Sequence, residues 1–334
     1  MTLEDQQFKK WLRRPTEFIA CTWFLMAAAG QYIVPYLVLA VEQLLSLFSL
    51  RMTDAAFIYA SSALSEVGLF FLPVVLYAAS HDGVVQSMRL NIPRWDALLI
   101  AALAAPIGVF ASDKLSTWWM MLIEALGGSL TASSVPIPTT LPELALALIL
   151  TAVLPGICEE TLFRGGLMGA WERRGTKQAL VITSVLFALL HGSVMGLPVQ
   201  LIMGFVLGYL VIQSDSLVVG MVYHIIHNAT ILLLTYISPD SAGLGGQFMT
   251  LTKTVLGTVG VFGLLVQTVI WIALYGGMLA LFIRSQKKRG VQFDKIIEGD
   301  KEPMSWETLV VLLAGILTVC VTFMSDLMTV CSVF

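Results

Sequence analysis

Long apolar runs separated by short polar breaks fill this chain. Nine of them reach or approach the roughly 20 residues that carry a helix across hydrocarbon: 18–41, 56–79, 95–112, 142–171, 177–193, 197–214, 216–237, 255–283 and 307–330. The pattern predicts an all-α polytopic membrane protein, a bundle of eight or nine transmembrane helices, with the count turning on one span at the end. Segment 115–127 is too short to span; it either extends the third helix or lies at the interface, where its two tryptophans are comfortable. Asp113-Lys114 just before it favours a break. Pro136, Pro138 and Pro142 punctuate a charge-free loop ahead of the fourth span.

Composition agrees. Of 334 residues 57% are hydrophobic and 12% charged, against roughly 25% charged in a soluble domain. The chain opens on polar residues, so the first span is expected to be retained as an anchor. One integral membrane domain is expected over 1–334, with a core at about 142–237 and peripheral helices at 18–127 and 255–330. Four cysteines without paired spacing predict neither a disulfide framework nor a CxxC metal site.

The net charge of −3 decides nothing, but its distribution does. With a cytoplasmic N-terminus, 15 basic residues fall inside: Lys9, Lys10, Arg13, Arg14, Arg89, Arg94, Arg173, Arg174, Lys177, Arg284, Lys287, Lys288, Arg289, Lys295 and Lys301. Only 2, Arg51 and Lys253, fall outside. The positive-inside bias therefore predicts this orientation.

Against this apolar background a few polar groups stand out: Glu159-Glu160 with Arg164, His191, and His224 with Asn228. Ionisable side chains inside a span are costly and mark functional sites by default. Glu160 and Arg164 share a helical face four residues apart, the spacing of an ion pair, whereas Glu159 points about 100° away. His224 and Asn228 also share a face and could hold a developing oxyanion, although interhelical hydrogen bonding is an equal reading for Asn228. Counting 1.5 Å per residue from the basic helix ends, Glu159 and His191 lie about 20 Å deep and Asn228 about 18 Å. That agreement predicts one site inside the membrane. His227, on a neighbouring face, reads as a packing group. The spacings Gly165-x-x-x-Gly169 and Gly204-x-x-x-Gly208 read as helix packing only.

The segments E-E-T-L-F-R (159–164), F-A-L-L-H (187–191) and H-I-I-H-N (224–228) resemble, in order, the EExxxR, FxxxH and HxxxN motifs of the CAAX-protease and bacteriocin-processing family. The resemblance covers about 70 residues, 159 to 228. It implies an intramembrane endopeptidase that uses glutamate and needs no metal or other cofactor. On that pattern Glu159 and His191 activate a water, His224 and Asn228 stabilise the oxyanion, and Glu160 with Arg164 supports the site structurally. The implied partners are a peptide or protein substrate in or at the membrane and the lipid bilayer, with no nucleic acid. The economy of the chain suggests a bacterial plasma membrane. The sequence assigns no oligomeric state.

Two other readings compete. Two histidines and a glutamate also make a zinc set, though the chain lacks H-E-x-x-H. A non-enzymatic scaffold, transporter or immunity protein could use the same polar cluster for binding. The terminal C-S-V-F imitates a prenylation box, but Ser332 fits an aliphatic position poorly and the expected topology puts Cys331 outside.

Overall fold

A computed structural model describes residues 15–81, 88–128, 136–237, 243–287 and 303–331, with the backbone alone at 243–259. The basic residues up to Arg14, those from Lys288 to Lys301, the Lys253 side chain and the C-terminal tetrapeptide lie outside the described side chains. The described residues form nine helices: α1 (Glu17–Ser46), α2 (Asp54–Ser80), α3 (Trp95–Ala125), α4 (Leu141–Arg174), α5 (Thr176–Leu190), α6 (Leu197–Ser214), α7 (Leu217–Ile237), α8 (Gly243–Lys287, broken by a kink at Gly260, whose φ of 65° is non-helical, with the span itself at Gly260–Lys287) and α9 (Trp306–Cys331). Eight are long and apolar enough to cross a bilayer, and α5, at 15 residues, is shorter. The protein is thus an all-α polytopic membrane protein.

Local chemistry sets the ends. Thr16 and Thr53 accept from Ile19 N at 3.3 Å and Ala56 N at 3.1 Å, starting α1 and α2. Thr140 and Glu143 form a capping box at the head of α4. One expectation needs correction: α3 does not break at Asp113-Lys114 but runs through it to Ala125. The two side chains are buried and neutralise each other at 2.6 Å, so the helix carries both without an isolated charge in the apolar interior. The fifth span, by contrast, ends earlier than the expected 177–193. It stops at Leu190 because Gly192 takes a positive φ of 61°, the left-handed conformation that commonly terminates helices.

Helices α2 and α4 contain widened π segments, at Glu66–Phe71 in α2 and at Ile149–Val153 and Thr161–Leu167 in α4. Two of them run directly into Leu-Pro: Leu72-Pro73 and Leu154-Pro155. Proline has no N–H and its ring crowds the carbonyl four residues back, so the preceding turn opens.

One end of the bundle gathers the charged ends. Arg174 bonds Glu17 at 2.8 Å, Arg89 pairs with Glu172 and lies 3.6 Å from Asp215, and Ser285 donates to Asp96 at 2.6 Å. These contacts bring the starts of α1 and α3, the end of α4, the α6–α7 turn and the end of α8 to one end, as an up-and-down bundle requires. Around the core, α1 packs on α9 and α3 on α8, while α3, α4 and α6 surround α7.

Candidate active site

Close helix crossings bring the polar residues together. At Gly156 a Cβ would sit 3.1 Å from Ile225 N, so α4 and α7 cross almost in backbone contact. At Gly204 a Cβ would lie 2.9 Å from Ser184 Cα, which draws α6 onto α5. The polar residues occupy this crossing.

Glu160 and Arg164 are completely buried, and Arg164 Nη1 donates to Glu160 Oε1 at 2.9 Å. Arg164 also uses Nη2 to bond the Gly204 carbonyl at 2.9 Å and lies 4.6 Å over the Phe187 ring. Gly204 therefore does more than pack; its carbonyl anchors the arginine. His224 Nδ1 is 3.1 Å from the same Glu160 oxygen. One carboxylate thus ties the EExxxR segment of α4 to the histidine of α7. Glu160 Oε2 faces Gly220, where a Cβ would lie 3.0 Å away.

Glu159 occupies the neighbouring face. Its Oε2 lies 3.9 Å from His191 Nε2, at the end of α5, with side-chain exposures of 11% and 30%. His191 Nδ1 is 2.8 Å from the Phe187 carbonyl. A carbonyl only accepts, so Nδ1 donates to it and Nε2 is the nitrogen turned towards Glu159. Phe187 packs between the two halves, edge-on to Phe163 and within 6.1 Å of the His224 ring.

Asn228 is placed differently. Its Nδ2 donates to the Thr151 carbonyl at 3.3 Å, on the first π segment of α4. That carbonyl lies four residues before Pro155, which offers it no N–H, and Asn228 satisfies it instead. The amide's second hydrogen is not used in this bond. His227 turns to α3, bonds the Ala105 backbone and stacks on Tyr223. Among the described residues, no three His, Cys, Asp or Glu side chains are grouped as metal ligands.

One residue escaped sequence reasoning. Glu66, in the π segment of α2, is buried at 7% exposure, and its carboxyl lies within hydrogen-bonding reach of the Glu159 carboxyl. A lone acid in the middle of the apolar run 56–79 was the available signal.

An all-helical membrane bundle with acid, imidazole and carboxamide groups converging inside it defines a candidate membrane-embedded hydrolase. Residues 141–230 match the family model described as Type II CAAX prenyl endopeptidase Rce1-like. The family resemblance carried by the three motifs is therefore borne out over this segment. No curated protein and no solved structure matches the chain.

Proposed function

We propose that this protein is an intramembrane endopeptidase in which Glu159 and His191 activate a water for attack on a peptide carbonyl. The observation that carries this reading is the 3.9 Å separation of Glu159 Oε2 and His191 Nε2. It is too long for a direct hydrogen bond and leaves room for a water about 2.8 Å from each atom to bridge the pair. As the water oxygen bonds to the carbonyl carbon, Glu159 takes its proton. The oxyanion is met by the second hydrogen of the Asn228 amide and by His224. With Nδ1–H held on Glu160, a protonated His224 offers Nε2–H. Glu159 then passes its proton to the leaving nitrogen as the C–N bond breaks, releasing an acid and an amine. Arg164 and Glu160 fix His224 and take no part in the proton transfer.

The substrate is a peptide or protein in or at the membrane, and the name of the matched family suggests a C-terminal segment next to a prenylated cysteine. The test uses a quenched fluorescent peptide ending in a farnesylated cysteine and three further residues, with purified wild type and Glu159→Gln. A parallel mass-spectrometric comparison of membrane peptides from cells carrying each form covers other substrates. Cleavage by wild type alone is the expected result. Wild-type function that survives Glu159→Gln at normal expression would point to a non-enzymatic scaffold.

The catalytic core is assigned to about 142–237, with the outer helices holding it. The basic end of the bundle is assigned to the cytoplasm of a bacterial plasma membrane, which puts the N-terminus inside. Support comes from the charge bias and from the gathering of Arg89, Arg94, Arg174 and Arg284 with the helix ends named above. Single cysteines at Arg94 and Arg284 should be labelled by impermeant maleimide only after the membrane is opened. Labelling in intact cells would invert the assignment.

A further inference from the structure

Glu66 lies outside both the three motifs and the matched segment, yet it touches the proposed base. Its helix α2 packs on α4 through the π segment that begins at Glu66. Neither Glu66 Oε2 nor Glu159 Oε2 has an N–H or O–H donor among the described residues, although both atoms are buried. The two carboxyls face each other within hydrogen-bonding reach. Two ionised carboxylates in that position would repel each other in a poorly solvated interior, whereas one proton between them makes a strong bond. Orphaned buried oxygens call for such an explanation.

The surrounding groups fit. Cys158, from α4, is close enough to feel both acids. Beyond Glu159 comes His191, its Nε2 3.9 Å from Glu159 Oε2. Arg164 directs Nη1 to Glu160 and Nη2 to the Gly204 carbonyl, leaving Nε buried without a partner among the described residues, and its charge also reaches Glu159. On the other side, α1 packs its Gly30 against Leu69 and turns Tyr32 away to Thr322 of α9.

We propose that Glu66 is a positioning residue: its protonated carboxyl donates to Glu159 and holds that carboxylate with one oxygen towards His191 and the attacking water. The inference rests on the reading of Glu159 as the base. Glu66 exchanges no atoms with substrate. The π turn at Glu66–Phe71 aims it, so the widened segment has a use beyond accommodating Pro73.

Two measurements on purified wild type, Glu66→Gln and Glu66→Leu test this, with thermal unfolding to confirm that each is folded. Infrared spectra at neutral pH, compared in H2O and D2O, should contain a protonated-carboxyl band that Glu66→Gln lacks. Identical carboxyl regions in the two proteins would overturn the proposal whether or not any substrate is cleaved. With the farnesylated peptide, Glu66→Leu should lower kcat by on the order of 10²-fold with KM nearly unchanged, the scale of a misplaced catalytic group. Glu66→Gln keeps a neutral donor and should recover most of that loss. Equal turnover by the Gln and Leu forms would reduce Glu66 to packing. A Gln form as dead as Glu159→Gln would mean that Glu66 must ionise. A wild type inert to the peptide, but with the carboxyl band missing from Glu66→Gln, would remove the substrate assignment and leave the shared proton standing.

Discussion

Arg164→Ala is the substitution whose cost can best be worked from the structure. The guanidinium is wholly buried, pairs with Glu160 at 2.9 Å, bonds the Gly204 carbonyl at 2.9 Å and lies 4.6 Å over Phe187. Removing one member of a buried pair costs about 3–5 kcal/mol, because the remaining charge stays out of water. His224 still donates to Glu160 at 3.1 Å, which holds the cost within that range even though the Gly204 carbonyl loses its side-chain donor. The expected loss is therefore about 3–5 kcal/mol, read from reversible denaturant unfolding in detergent micelles. Adding Glu160→Gln should make the double variant less unstable than the sum of the singles, since the stranded charge is gone. Arg164→Lys should fall between, because an ammonium cannot reach Glu160 and Gly204 as a planar fork does. Turnover should fall in proportion to the folded fraction. A stable Arg164→Ala protein, within about 1 kcal/mol of wild type yet inactive, would refute the bracing role and move Arg164 into the chemistry.

Asn228→Ala should slow turnover by on the order of 10²–10³ through loss of an oxyanion donor, and should also cost about 1–3 kcal/mol by orphaning the Thr151 carbonyl. Pro155→Ala in the same chain restores a backbone donor to that carbonyl. The double variant should regain stability without regaining kcat, and recovery of both would assign Asn228 to structure alone. Glutamate chemistry predicts that turnover persists in excess chelator; activity lost to chelator and restored by zinc would favour the metalloprotease reading.

Much of this architecture was legible in the chain, because both spans and motifs are written in local spacing. An apolar run of 20 residues has few alternatives to a helix, and Glu160-x-x-x-Arg164 specifies its own pairing within one turn. What escaped was non-local. Glu66 meets Glu159 across 93 positions of sequence, and no periodicity within 56–79 reveals that contact. Asp113-Lys114 looked like a break because two charges end most apolar runs, but adjacent opposite charges cancel and the helix continues. The Thr151–Asn228 bond follows from Pro155, whose missing N–H was readable, but its partner on another helix was not. His191, expected near the end of span 177–193, lies just past the end of α5, because the left-handed conformation of Gly192 is not readable from spacing.

The turn after His191 is held by three helices that contain none of the motifs. Gln31 of α1 donates to the Leu190 carbonyl, Trp119 of α3 to the Val194 carbonyl at 2.9 Å, and Val194 N donates to Asp326 of α9 at 2.7 Å. The turn that follows this imidazole is thus fixed from α1, α3 and α9. A fragment trimmed to the motif-bearing helices would keep every motif side chain and lose the frame around one of them. Substitution in the outer helices of this chain is then constrained at three points, Gln31, Trp119 and Asp326, each of which supplies a donor or an acceptor to that turn.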